Sequence, residues 1–446
     1  MKNRMLLVLL FLTGFGLFAE SINLEQARVL ALTSSRSLAK YNLSLRSSLL
    51  DQRSQLYSML PNLSAEYSAT MNYLDRDWGF VNPVDTLNAG ATFSVTQKIF
   101  EGGKSFIQKA LSGIATESVR NEALSEYYSV LDSVDNAYYA ALEAAASLAA
   151  AESSLDKANS SLMIAEIRQA NGIINRGDYL RALADKEAQE NSRNQARRSL
   201  SLTMARLNVL IGLPQTPELE QVDFSAYEGI IQRLAGISDN DANALFGRFW
   251  EILLRSNPSL IRANLNNQRA EKNLSLARRD YSPTISATLF STGLNYSIAN
   301  GFTNSSGGGL SIRGSIPIDF WVMANRLEKS KISRDSAAID YINAEISLDI
   351  ELQSALINLI AQAESVLSTR RTLEYTESHY EFAAERYRLS QASVADLAEA
   401  SSLLINSRNN SIRASYGFLQ SLSRLRSLSV IDDEERLINL LLNYTP

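Results

Sequence analysis

Along residues 62–73, NLSAEYSATMNY, every second position is apolar: Leu63, Ala65, Tyr67, Ala69, Met71 and Tyr73. Ser64, Glu66, Ser68, Thr70 and Asn72 fill the positions between. A period of two predicts a β-strand over about 62–74 with one apolar and one polar face. A second strand is predicted at about 89–100, where Ala89, Ala91, Phe93, Val95 and Ile99 line one face. A third, at about 284–298, alternates through Ile285, Ala287 and Leu289, then changes parity at Leu294, Tyr296 and Ile298. That phase change predicts a bulge near Gly293. Leu310, Ile312, Ile316 and Ile318 line a fourth, at about 309–319.

Most of the remaining chain has helical spacing. A helix is predicted from about Asn23 to Tyr57 and another from about Asp241 to Arg279, each starting at an N-cap residue type and ending near a proline, Pro61 or Pro283. Very long helices follow the strands. From Lys104 to about Arg168 there is no proline and a single glycine, Gly113. Leu124, Tyr127, Leu131, Val134, Tyr138, Ala141, Ala145 and Leu148 alternate steps of three and four, and Leu155 and Leu162 extend the seven-residue repeat. This is a left-handed coiled-coil seam, and some 65 helical residues would span roughly 100 Å. After a break at NGIINRGD, a helix is predicted from about Tyr179 to Leu210. A second long pair runs from about Asn325 to Leu428, broken at SQASVAD.

The two halves are copies. SRSLAKYNLSLRSSLLDQRSQLYSMLPNLS (35–64) matches NPSLIRANLNNQRAEKNLSLARRDYSPTIS (257–286), with Leu38 to Pro61 repeated as Leu260 to Pro283. RQANGIINRGDYLRA (168–182) matches RYRLSQASVADLAEA (386–400), each with an arginine ten residues before an aspartate. ARLNVLIG (205–212) matches SRLRSLSV (423–430) in the same order. Three ordered matches indicate a duplication. The predicted organisation is a leader at 1–19, a first repeat at 20–212 with its hairpin at 62–100, and a linking segment at 213–240. A second repeat at 241–430 carries its hairpin at 284–319, and a terminal segment fills 431–446.

Composition and charge then narrow the function. The 446 residues are 45% hydrophobic, enough for a sizeable core. A net charge of −5 with no Lys/Arg-rich run argues against nucleic acid as a partner. The absence of cysteine removes disulfides, thiolate metal sites, a thiol nucleophile and a lipoprotein anchor. The start, MKNRMLLVLLFLTGFGLFAES, has Lys2 and Arg4, an apolar run and Ala19 before Glu20, the pattern of a secretory signal peptide cut near Ala19. No later apolar run is long enough for a transmembrane helix. His379 is the only histidine, read as a surface helix residue rather than a base, and no nucleotide loop, metal cluster or nucleophile motif stands out. No enzymatic activity and no cofactor are expected.

Four strands per chain cannot close a barrel, and an open edge is not tolerated in lipid. Three copies would supply twelve strands, an even number within the range of outer-membrane barrels. Leu63, Tyr67, Met71, Phe93 and Val95 would then face lipid, and the polar alternates a water-filled lumen. The competing readings are a soluble sheet over a core and a soluble periplasmic coiled-coil adaptor.

The order of parts resembles the TolC family of outer-membrane efflux and secretion channels across nearly all of the mature chain. NLEQARVLAL…SRSL and NPSL resemble the openings of that family's two repeats, and TQKIFEGGK (96–104) its strand-to-helix passage at Gly102 and Gly103. RQANGIINRGDYLRAL followed by LNVLIGLP resembles its helix-hairpin tip and the close of the first repeat. The fold class implied is mainly α with a membrane β part: long coiled-coil helical hairpins forming a periplasmic α-barrel, and four strands per protomer in a trimeric twelve-stranded barrel. The resemblance also implies an outer-membrane location, a homotrimer, a periplasmic adaptor and an inner-membrane transporter as partners, and an equatorial belt built from 213–240 and 431–446.

By the same resemblance, Asp178 and Tyr387 fall on contacts that keep the periplasmic entrance shut, and Asp396 and Glu399 on the narrowest constriction. Three copies would gather six carboxylates, attract cations and raise one another's pKa. The family's gate arginine is absent, Ala392 standing in its place, and Arg176 on the other tip is the candidate substitute. Gly172 and Gly177 are read as helix-tip turns, with Ser390 where the second tip departs from glycine. Trp78 and Phe80 would sit at the outer membrane surface or pack their loop.

Overall fold

The computed structural model describes residues 21–72, 86–215, 218–297, 301–303 and 307–442. The leader, Trp78, Phe80 and the end of the terminal segment lie outside these residues. The chain divides into two compact units built from discontinuous pieces. One comprises Lys40–Ala123 and Pro258–Glu345; the other takes the chain up to Ala39, Leu124–Asn257 and the chain from Ile346 onward.

The first unit holds the sheet. β1 (Asn62–Asn72) pairs antiparallel with β2 (Thr86–Phe100), and β2 with β3 (Thr284–Ser297). The far side of β3 pairs with β4 (Gly301–Thr303) and β5 (Gly307–Ser315). Directly opposed residues share a face, so the register settles which side is apolar. Leu63 opposes Val95, Val95 opposes Leu289, and Leu289 opposes Leu310, a hydrophobic row across the whole sheet. Tyr67 and Phe93 stand on the same face, and these large apolar residues are all exposed. Met71 lies in β1, but its side chain is outside what the structure describes. The other face is a ladder of hydroxyls: Ser64 with Ser94 at 2.7 Å, Thr96 with Thr288 at 3.1 Å, Thr284 with Ser315 at 2.8 Å.

Two irregularities follow the sequence. Ala91 pairs with Gly293 but Ala89 with Tyr296, so β3 carries an extra residue beside Gly293. At the strand exit Gly102 and Gly103 have φ of +62° and +74°. A Cβ on Gly102 would fall 2.3 Å from that of Ser282, so glycine is required both by φ and by space. Asp280 braces this corner, bonding Lys104 at 2.8 Å and Arg326 at 2.9 Å. The fourth strand is shorter than the alternation predicts. It ends at Ser315, and Ile316 and Ile318 continue off the ladder around Pro317, which has no N–H to donate.

The helices in chain order are α1 (Leu24–Ser34), α2 (Arg36–Tyr57), α3 (Lys104–Ala170), α4 (Arg176–Ile211), α5 (Glu228–Ala235), α6 (Asp239–Ser256), α7 (Pro258–Arg278), α8 (Phe320–Arg388), α9 (Val394–Ser429) and α10 (Glu434–Leu442). Each expected leading helix is in fact two. The first breaks at Ser35 (ψ 111°), whose Oγ accepts from the Leu38 N–H and so caps α2. The second breaks at Asn257 (ψ 118°), because Pro258 occupies the first position of α7 and drives the preceding residue to extended geometry. The start of α6 also moves: Ser238 is its N-cap, accepting from the Asp241 N–H, so Asp241 sits inside the first turn.

In the helical unit, Leu131, Val134, Tyr138 and Ala141 of the seam are buried. Beside them Asp135, with no exposed surface, accepts from Arg28 on α1 at 2.7 and 2.8 Å and from Arg426 on α9 at 2.6 Å; the Ser423 hydroxyl donates to it as well. The segments flanking the repeats meet nearby. The Tyr227 hydroxyl donates to Glu434 at 2.6 Å, and the Tyr128 hydroxyl to Asp432 at 2.8 Å.

Candidate functional site

The ends of the long helices build one small core within the helical unit. Ala165 of α3, Ala182 of α4, Tyr380, Ala383 and Tyr387 of α8, and Val394, Leu397, Ala400 and Leu404 of α9 pack together. Both connecting turns use the same chemistry, 218 positions apart. Gly172 (φ +70°) donates to the Gln169 carbonyl at 3.0 Å, and Ile173 to Arg168 at 2.8 Å. Ser390 (φ +64°) donates to Tyr387 at 3.0 Å, and Gln391 to Arg386 at 2.8 Å. Each is a left-handed helix stop closed by a six-to-one bond. Asn175 then caps α4 and Ser393 caps α9, each accepting from the N–H of an aspartate three residues on.

Serine at a left-handed position carries a backbone cost that glycine does not. Ser390→Gly is therefore expected to raise stability by up to about 1 kcal/mol, and Gly172→Ala to lower it by a similar amount. Thermal melts of the two variants check this. Nothing lies within 4 Å of a Cβ built on Gly172, so its cost would be conformational alone.

Tyr387 is buried at the centre of the tip core. Burial raises its phenol above the usual range; the Arg168 guanidinium opposes the shift, and the nearby Asp178 carboxylate adds to it. Asp178 is half-buried in the first turn of α4, where the amide dipoles favour an acid. Arg176 is exposed at the first position of the same helix. Gly172 forms the turn, whereas Gly177 is the second residue of α4, 3.0 Å from the Asn175 side chain if a Cβ is added. Asp396 and Glu399 are exposed one turn apart on α9. Asp396 closes a capping box, accepting from the Ser393 N–H at 2.9 Å while its own N–H donates to Ser393 Oγ at 3.2 Å. These bonds to Ser393 hold its carboxyl below the ordinary range.

One further tip residue has little signal in the sequence. Arg168, near the end of α3, is buried, lies 4.4 Å from the centre of the Tyr387 ring, and donates to the main-chain carbonyls of Tyr387 and, at 3.3 Å, Arg388. Its only signal was the arginine repeated at 168 and 386.

A family profile for outer membrane efflux proteins matches residues 27–213 and 250–429, both repeats nearly end to end. The chain belongs to that family. Solved structures of similar fold include CusC, with 16% identity, a TM-score of 0.78 and 91% of each chain covered. The CmeC outer membrane channel of Campylobacter jejuni shows 16% identity and a TM-score of 0.75 over 95% of this chain and 90% of that one. VceC, an outer membrane protein of Vibrio cholerae, shows 17% identity and a TM-score of 0.73 over 91% and 96%. No curated protein matches in sequence. The efflux protein thus has the TolC-type fold, with strands for the outer membrane and long helical hairpins for the periplasm. Among the described residues no helix is long and apolar enough to cross a membrane, and the apolar sheet face is the element suited to lipid.

Proposed function

We propose that this efflux protein is a homotrimeric exit duct that carries small molecules or proteins from an inner-membrane transporter and a periplasmic adaptor across the outer membrane. The observation that carries the reading is the sheet: among the described residues it has four strand positions, one continuous apolar face, and unpaired edges at β1 and β5. Such edges are untenable in lipid until another copy pairs with them, and three copies close twelve strands.

Helix surfaces favour the same assembly. In the sheet-bearing unit, α8 exposes Ile332, Ile339 and Ile342, and α2 exposes Leu43, Leu50 and Tyr57, each group at coiled-coil spacing and uncovered among the described residues. Replacing Ile339 and Ile342 with aspartate should abolish the trimer, since each buried isoleucine contributes about 1.5–3 kcal/mol and every interface would lose both. Migration in mild detergent gels reads the result. A variant that remains fully trimeric would place the interface elsewhere.

The gate lies at the helix tips in this reading. Asp178, Tyr387 and Arg176 hold neighbouring hairpins shut, Gly172 turns the chain, and six carboxylates from Asp396 and Glu399 form a cation-favouring constriction. Asp396→Ala with Glu399→Ala should weaken cation selectivity in planar bilayers, and unchanged selectivity would move the constriction elsewhere. The protein performs no covalent chemistry and binds no nucleic acid; its leader is removed near Ala19, and 213–240 with 431–446 form the belt around the tunnel.

A further inference from the structure

Along the described strands only three residues carry charge: Glu66 on β1, Lys98 on β2 and Arg313 on β5. The register puts all three on the hydroxyl face, since Glu66 opposes Thr92, and Lys98 and Arg313 flank Ser286. Lys98 has its counter-ion in Glu101, at 2.7 Å. Glu66 and Arg313 are exposed and make no ion pair among the described residues. They are opposite in sign, and they stand on strands at opposite edges of the sheet.

From these complementary edges we infer that Arg313 of one copy pairs with Glu66 of the next, and that this ion pair sets the register in which the barrel closes. The inference rests on the homotrimer reading and adds the contact that makes its seam specific. An edge strand accepts any arriving strand, but the two-faced pattern restricts the register to steps of two. With Arg313 against Glu66, Ser311 opposes Ser68 and Ser315 opposes Ser64 on the polar face. On the apolar face Ile312 meets Tyr67, and Ile316 meets Leu63. Ile316, exposed beyond the end of β5, thereby gains a partner that its own chain does not supply. A slip of two residues sets Arg313 against Ser64 or Ser68 and leaves both charges unpaired. The geometry of closure agrees. The row from Leu63 through Val95, Leu289 and Leu310 re-enters β1 at Ala69, six residues on. Over three copies that is a climb of about 61 Å around a girth of about 58 Å, hence a strand tilt of roughly 45°. Strands that cross a bilayer are commonly inclined by this amount.

Charge exchange tests the pair. Arg313→Glu or Glu66→Arg alone sets like charges together at three seams and should shorten the lifetime of the trimer in mild detergent roughly tenfold. Combining the two restores the pair in reverse and should recover most of that loss. Glu66→Gln and Arg313→Gln remove the attraction without adding repulsion. Their non-additive effects are read instead if reversal prevents assembly. The absence of cysteine allows the register to be checked directly. Ser68→Cys with Ser311→Cys, and Tyr67→Cys with Ile312→Cys, occupy successive pairs, of which one is closely spaced in any antiparallel ladder. Oxidation should join copies through at least one of them, and not through the slipped pair Ser68→Cys with Gly309→Cys. Additive charge variants, or cross-linking through the slipped pair instead, overturn the inference while the trimer stands. A wild-type chain that is monomeric in mild detergent refutes the trimer itself, and the seam with it.

Discussion

Replacing Asp135 with alanine should cost the helical unit about 3–5 kcal/mol, the usual penalty for stranding buried charges. Two guanidiniums, from Arg28 and Arg426, converge on this one fully buried carboxylate, and the Ser423 hydroxyl completes its shell. Glu25 and Glu434 also pair with Arg28, but neither is buried as deeply, so neither can take the place of Asp135. The loss should appear as a large drop in melting temperature of the detergent-solubilised protein, followed by circular dichroism. Asp135→Asn keeps the shape and part of the hydrogen bonding and should fall between. Adding Arg28→Met and Arg426→Met to the alanine variant should recover much of the loss, because buried ion clusters are often replaceable by apolar groups. A single alanine variant that melts with the wild type would show that the cluster is not a keystone.

The second large effect belongs to the sheet. Tyr67→Arg or Phe93→Arg puts a guanidinium on the apolar face, at about 2–4 kcal/mol per site near the bilayer midplane. In a trimer each substitution is made three times. Membrane assembly should fail, with the protein recovered in the soluble periplasmic fraction. Ser64→Arg, on the hydroxyl face opposite Ser94, should assemble almost normally. Equal outcomes on the two faces would mean that the sheet does not meet lipid.

Much of this was legible in the sequence because period two, period seven and the duplication are long-range signals that local exceptions do not erase. The strands, the four long helices and the positions of both tips follow from them. What failed to show was set by single residues or by partners distant in the chain. The break at Ser35 depends on one hydroxyl accepting from Leu38, and nothing in SRSLAKY interrupts the helical spacing. Asp135 reads as a solvated acid next to the seam until α1 and α9 bring two arginines to it. Arg168 reads likewise, since its partners on α8 lie 219 and 220 residues away. The alternation at Ile316 and Ile318 overran the fourth strand because hydrophobic parity persists past the last ladder bond.

The two helix breaks have a consequence for ancestry. Beside the first, Ser34 Oγ donates to the Leu210 carbonyl at 3.0 Å; at the second, the Asn257 amide donates to the Leu428 carbonyl at 3.3 Å. Each repeat therefore ties its own beginning to its own end, with the left-handed stops Gly212 and Val430 marking equivalent closures. A chain of half this length would already be a closed module, needing nothing from its sister to join its termini. Six such modules around an axis would supply the same strands and hairpins as the three chains of the proposed trimer, so fusing them in pairs would have preserved the proposed ring while freeing the halves to diverge.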